Sequence, residues 1–258
     1  MNKYISYKKN SDVVDNLSSV SMLFNGQYLE ELIDGYMTLN VFGREMIDYD
    51  IDAERRNGGD GVIRFSKSLP PRTLEIEYQL LSDTPEEQQT KYNKLMQILS
   101  TKNIVPIKFR DEPDFEFTGE YQSSEKVDSK KLNIVSSFSI LCPDPFKYKS
   151  EIKTTGIISV ETIYETYPSR INILIPAATN LVTVTNSITK KVIRLQGQIG
   201  ANSNIELDVI NQTIKINGQL RNDLIVLNSD FENFEIRKGD TITTNVGTIE
   251  VYQREKML

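Results

Sequence analysis

The sequence predicts a mainly β protein of two domains. The first, residues 1–145, is a β-barrel or sandwich-like domain with one α-helix. The second, residues 146–258, is an antiparallel β-sandwich or jelly roll. Three observations carry this reading. Residues 137–150, SFSILCPDPFKYKS, end one alternating pattern and precede another. Pro143 and Pro145 stop regular structure there, because proline lacks an N–H and restricts the residue before it. Before this break lies a single well-capped helical pattern. After it no helical period appears, and short β-type runs alternate with turn signals.

Composition narrows the function. The 258 residues suffice for two modest cores. An apolar share of 38% suits sheets with one solvated face. The net charge of −6 argues against stable nucleic-acid binding, which needs a basic face to displace counterions. Histidine is absent, which removes the commonest general base and metal ligand. Cys142 is the only cysteine, so no intrachain disulfide forms. No cofactor and no metal site is expected. No run has the length of a membrane span, and residues 1–16 lack the apolar core of a signal peptide, so membrane insertion is not expected and synthesis in a reducing cytosol is.

Residues 1–16 are polar and charged and read as a mobile arm, or one that orders only on a partner. Packing begins at Leu17–Phe24, and Asn25-Gly26 signals a hairpin. Tyr36–Phe42 and Arg44–Tyr49 read as strands parted by Gly43. Residues 52–61, DAERRNGGDG, read as an exposed loop. The spacing of Asp48, Asp50 and Asp52 resembles a calcium loop, but Ala53 and Gly59 stand where that loop needs Gly and Glu. Within this stretch Arg55 and Arg56 are the candidate contacts to another subunit or partner. Residues 61–68 and 71–81 are strands, the second with Leu74, Ile76, Tyr78 and Leu80 on one face. Thr84, Pro85 and Glu87 form a helix start, and Tyr92, Leu95, Met96 and Leu99 an apolar stripe. Two strands flank the acidic turn at Asp111–Asp114, and Leu132–Ile140 alternates into the break. Beyond it, strands are expected at 152–160, 171–175, 181–185, 191–195, 204–209, 213–216, 223–226, 234–236, 241–244 and 248–252.

The strand ending in Ile140-Leu141-Cys142-Pro143-Asp144-Pro145-Phe146-Lys147-Tyr148, set between a helix-bearing β half and an all-β half, resembles the distal tail proteins of long, flexible-tailed phages of Gram-positive hosts. Tyr167-Pro168, Ile205-Glu206-Leu207-Asp208, Ile236-Arg237-Lys238-Gly239-Asp240-Thr241-Ile242 and Ile249-Glu250-Val251-Tyr252 add to the likeness. The resemblance implies a structural virion protein of the tail tip, assembled in the host cytoplasm, and not an enzyme. It implies a homo-hexameric ring of N-terminal domains, joining the tail tube protein to the tip hub and letting DNA pass. It implies galectin-like C-terminal sandwiches that dock receptor-binding or baseplate proteins.

The segment Cys142, Pro143, Asp144, Pro145, Phe146 and Tyr148 is the expected domain junction. Cys142 fills a small gap at a strand end, Asp144 forms a turn, and Phe146 and Tyr148 are packing anchors. The competing reading is a carbohydrate-binding module for host cell-wall glycans. Against it, the C-terminal half has no Trp, and Tyr164, Tyr167, Phe231, Phe234 and Tyr252 are scattered.

Overall fold

The computed structural model describes residues 17–127, 131–161 and 163–258. The arm expected at residues 1–16 lies outside them. The chain divides into two compact units, Met1–Pro145 and Phe146–Leu258. Each has its own apolar core.

In the first unit the elements are β1 (Met22–Phe24), β2 (Gln27–Tyr28), α1 (Leu29–Leu32), β3 (Tyr36–Phe42), β4 (Asp50–Arg55), β5 (Val62–Ser68), β6 (Arg72–Leu81), α2 (Pro85–Leu99), β7 (Val105–Phe109), β8 (Glu112–Ser124) and β9 (Asn133–Cys142). Antiparallel pairing gives the order β2-β1-β7-β8-β9-β6-β3. Strand β8 pairs β7 through its first half and β9 through its second. It thereby turns the corner between two faces of a sandwich. Gly119 sits at that corner, where an added Cβ would meet Ile140 Cγ2 at 2.7 Å and Leu141 O at 2.8 Å. Only glycine lets the two strands approach so closely.

The alternation in β6 decides what is buried. Leu74, Ile76, Tyr78 and Leu80 are all inside. They meet Ile134, Phe138 and Ile140 of β9, and the core continues through Met22, Phe24, Ile107, Phe109 and Phe117. Tyr36 stacks on Tyr78 with ring centroids 5.6 Å apart, and Tyr78 meets Phe138 at 5.7 Å. Burial pushes the Tyr78 hydroxyl up to about 12, so both rings act as neutral core residues.

Helix α2 starts as its sequence predicts. Thr84 Oγ1 accepts from the Glu87 amide at 3.1 Å, and Pro85 takes a position where no N–H is needed. The Glu87 carboxylate reaches back to the amide of Asp83, one residue earlier than a standard capping box, at 2.8 Å. Leu95 and Leu99 are buried, with Gln88 on the same face.

Three expectations in this unit fail. Arg44–Tyr49 is irregular, residues 52–55 are the end of strand β4 rather than loop, and the turn expected at Asp111–Asp114 is confined to Arg110 and Asp111, because β8 already pairs β7 at Glu112. The alternation of Asp50, Asp52 and Glu54 with Ile51 and Ala53 is a strand pattern that the charges concealed. A short helix, α1, also forms after the Asn25-Gly26 turn. Both turn residues have positive φ, 50° and 84°, as a tight hairpin requires.

The second unit contains β10 (Lys147–Lys149), β11 (Ile152–Thr154), β12 (Arg170–Ile175), β13 (Thr179–Asn186), β14 (Val192–Ile199), β15 (Ser203–Asp208), β16 (Thr213–Ile216), β17 (Gln219–Leu220), β18 (Ile242–Thr244), β19 (Thr248–Gln253) and β20 (Lys256–Met257). One antiparallel sheet runs β11-β19-β12-β15-β16-β17 and another β14-β13-β18. Ile171, Ile173, Ile175, Ile205, Leu207 and Val251 of the first share a core with Val182, Val184, Ile193 and Leu195 of the second. The strand expected at 152–160 ends at Thr154. Residues 222–224 and 231–233 form 3-10 turns, and Ile225 and Ile236 make isolated bridges where strands were expected. Buried Leu224 and Phe231 explain the apolar signal there: they plug the core from turns.

Replacing Thr84 by Ala is expected to lower stability by about 1 kcal/mol, because one helix-end amide loses its acceptor. Urea unfolding followed by circular dichroism measures this. An unchanged midpoint would show that the cap contributes nothing.

Candidate assembly surfaces

Strand β6 begins with an arginine where its inward parity calls for an apolar residue. Arg72 lies opposite Cys142 in the β6–β9 register and is only 2% exposed. Its Nη1 donates to the carbonyls of Gly43, at 2.6 Å, and Glu45, at 2.9 Å. Its Nε donates to the carbonyl of Pro145 at 2.9 Å. The guanidinium lies 5.5 Å from the Phe117 ring centroid. A planar fork can serve several carbonyls at fixed angles, which an ammonium cannot. Burial lowers the pKa of Arg72 from its ordinary value. Gly43 allows the arrangement: at φ 84°, a Cβ would fall 2.0 Å from Thr73 O.

A second arginine holds the same loop. Arg44 makes a bidentate pair with Asp111 at 2.7 and 2.9 Å, and lies 4.8 Å from the Phe109 ring centroid. Hydrogen bonding to Arg44 keeps the Asp111 carboxyl below its ordinary value. The pair's contribution is therefore complete above the ordinary carboxylate range and is lost as pH falls through the lowered folded value.

From this fastened loop the β4–β5 ribbon emerges. Among the described residues it forms a sheet of two strands by itself. Every residue of β5 is exposed, and all of β4 except the intermediate Ala53. Ile51, Val62, Ile63 and Phe65 are each exposed by half or more. The register sorts the side chains. Asp50 pairs Ser68 and Asp52 pairs Ser66, and Glu54 follows on the same face. Ile51 pairs Lys67 on the other face, with Arg55 opposite Val62 and a bulge beside Phe65. One face carries Asp50, Asp52 and Glu54, with Ile63 opposite Glu54; the other carries Ile51 and Val62 among Lys67, Arg64 and Arg55. Arg55 closes strand β4, and the Arg56 amide bonds Gly61 O across the turn at 3.3 Å. Lys67 Nζ covers the Tyr49 ring, 3.5 Å from its centroid.

The residues expected at the domain junction take the following places. Cys142 is buried, and burial pushes its thiol up to about 12, so it is a neutral packing group and not a nucleophile. Pro143 and Asp144 form a bend, and the division between units falls after Pro145. Within the second unit, Phe146 meets Tyr164 with ring centroids 5.0 Å apart, and Lys256 Nζ lies 4.5 Å from its own. Tyr148 pairs Lys256 in register and lies under Arg254 at 5.3 Å.

The other aromatics of the second unit are committed. Phe231 and Phe234 are in the core, Tyr252 lies under Arg170 at 3.9 Å, and the Tyr167 hydroxyl donates to Glu165. No group of His, Cys, Asp or Glu among the described residues is arranged to hold a metal ion.

Sequence reasoning missed Arg72. Its signal was available as parity: Arg72 continues the buried series Leu74, Ile76, Tyr78 and Leu80. Arg72→Met is expected to cost roughly 3 kcal/mol, since three carbonyls lose a charged donor. Arg72→Lys should recover less than half of this. Denaturant titration checks both; full rescue by Lys would mean that charge alone matters.

The comparisons with known proteins agree with this architecture. Residues 161–256 match the family described as siphovirus-type tail component, C-terminal domain. The distal tail protein of Bacillus phage SPP1 is 24% identical over 229 residues, covering 85% of this chain and 88% of that protein. The crystal structure of SPP1 Dit, described as a paradigm of the hub adsorption apparatus in phages that infect Gram-positive hosts, superposes with a TM-score of 0.81 at 21% identity. That match covers 93% of this chain and 100% of the other. A chain of the phage p2 baseplate in its activated conformation matches with a TM-score of 0.55 at 12% identity, over 86% of this chain and 91% of that one. In sequence and in fold, this chain is similar to the distal tail proteins of siphophages.

Proposed function

We propose that the chain is a structural protein of the phage tail tip: a hexameric ring of first units that joins the tail tube to the tip hub. Its second units are docking modules for receptor-binding or baseplate proteins. The β4–β5 ribbon is the observation that carries the ring. A two-stranded ribbon alone in water is marginal, and this one exposes Ile51 and Val62 on one face and Phe65 at its bulge. Its root is nevertheless fixed by Arg72 and Arg44. A rigidly held, apolar arm is what a head-to-tail contact between identical copies needs, and such a contact closes into a ring when its rotation closes. Arg55 and Arg56 lie at its tip, where they meet a neighbouring copy or the tube.

The role is architectural, without catalysis or cofactor. Net negative charge supports a channel that passes DNA without holding its phosphates. The segment from Cys142 to Tyr148 serves as the covalent joint between ring and docking module.

Replacing Val62 and Phe65 together by Ser is expected to abolish ring formation while leaving both units folded, because the ribbon contributes little to either core. Light scattering of the full chain reads the mass, and circular dichroism reads the fold. A double variant that assembles like the parent would remove the ribbon from the contact.

A further inference from the structure

Strand β3 ends its sheet, so among the described residues one of its edges has no neighbouring strand. Such an edge normally presents a row of unmet amides and invites a second chain to pair with it. Here the amides directed away from β6 are already taken. The Tyr36 amide bonds Ile33 O at 3.1 Å, beside helix α1. Further along, three side-chain oxygens serve in turn. Glu30 Oε1 accepts from the Thr38 amide at 3.0 Å, Asn40 Oδ1 from Val41 at 2.9 Å, and Glu45 Oε2 from Gly43 at 2.7 Å.

Two of these acceptors are carboxylates, which bind amides more strongly than neutral oxygens do. They also oppose an incoming strand, whose carbonyls would find no donor and would face negative charge. Glu30 is held there at a cost: its Oε2 is buried without a hydrogen-bond partner. The opposite end of the sheet is closed differently, by the two-residue strand β2. In the second unit the outer edge of β14 is instead covered by the segment at 225–230, whose Asp230 Oδ2 and Ser229 Oγ accept from the amides of Val192 and Arg194 and whose own amides at Val226 and Asp230 bond Arg194 O and Val192 O.

We propose that Glu30, Asn40 and Glu45 guard the β3 edge against strand addition by a second copy of the chain. Copies then meet through side-chain faces, such as that of the ribbon, and not by open-ended edge pairing. The inference stands apart from the ring reading, because it concerns which contact the free chain refuses.

The test uses the full-length chain with Asn40→Ala and Glu45→Ala, alone and with Glu30→Ala added. Sedimentation velocity over a concentration series reads association, and circular dichroism reads the fold. The variants are expected to self-associate at about tenfold lower concentration than the parent, the effect of roughly one released backbone pair. Hydrogen exchange should show the Thr38, Val41 and Gly43 amides protected in the associated form. Glu45→Gln, which keeps an acceptor for the Gly43 amide but loses the charge, should fall between the parent and Glu45→Ala. If the triple variant does not fold, the double variant decides. Unchanged sedimentation of a folded double variant overturns the proposal. So does association in which those amides still exchange freely.

Discussion

The buried guanidinium of Arg72 ties together the parts of the first unit on which the rest depends. It satisfies carbonyls from the loop at 43–45 and from Pro145, where the first unit ends. Those segments are far apart in sequence and have no apolar reason to meet. A leucine at this inward position would pack against Phe117 but would leave the carbonyls unpaired, and a buried unpaired carbonyl costs about as much as the packing gains. The arginine resolves the conflict with one planar group. Gly43 makes it possible by bringing its backbone against Thr73.

Fixing that loop has a consequence outside the core. The β4–β5 ribbon shares a sheet with no other described strand, so its direction is set at its root, by Arg72 and the Arg44–Asp111 pair. The exposed apolar face of the ribbon and the self-satisfied edge of β3 are complementary features. One surface is left open with apolar side chains and adjacent basic groups. The other is closed amide by amide with oxygens. A protein that must associate with its own copies in one geometry benefits from both, since edge pairing has no built-in stopping point while a side-chain contact has a defined rotation.

Much of this was legible in the sequence, and the failures have physical causes. The two-unit division, the α2 start at Thr84 and the core parity of β6 all rest on local rules: proline punctuation, amide capping and alternation. The break at Cys142-Pro143-Asp144-Pro145 announced the end of a unit for the same reason. Strand β4 was hidden because its alternation is between acids and small or apolar residues that both stay in solvent, so no burial contrast marks it. Residues 223–226 and 234–236 were misjudged as strands because apolar residues can fill a core from a turn as well as from a strand. Arg72 was overlooked because charge outweighed parity in the reading. The acceptors for Arg72, at Gly43, Glu45 and Pro145, are backbone atoms, and no side-chain motif reports a carbonyl's position.

Closure of the chain into a ring through its first unit is read by electron microscopy of the purified full-length protein in the presence of the tail tube protein. Closed, six-fold particles with peripheral densities for the second units are expected. Open filaments, or single copies bound to the tube end, would contradict closure.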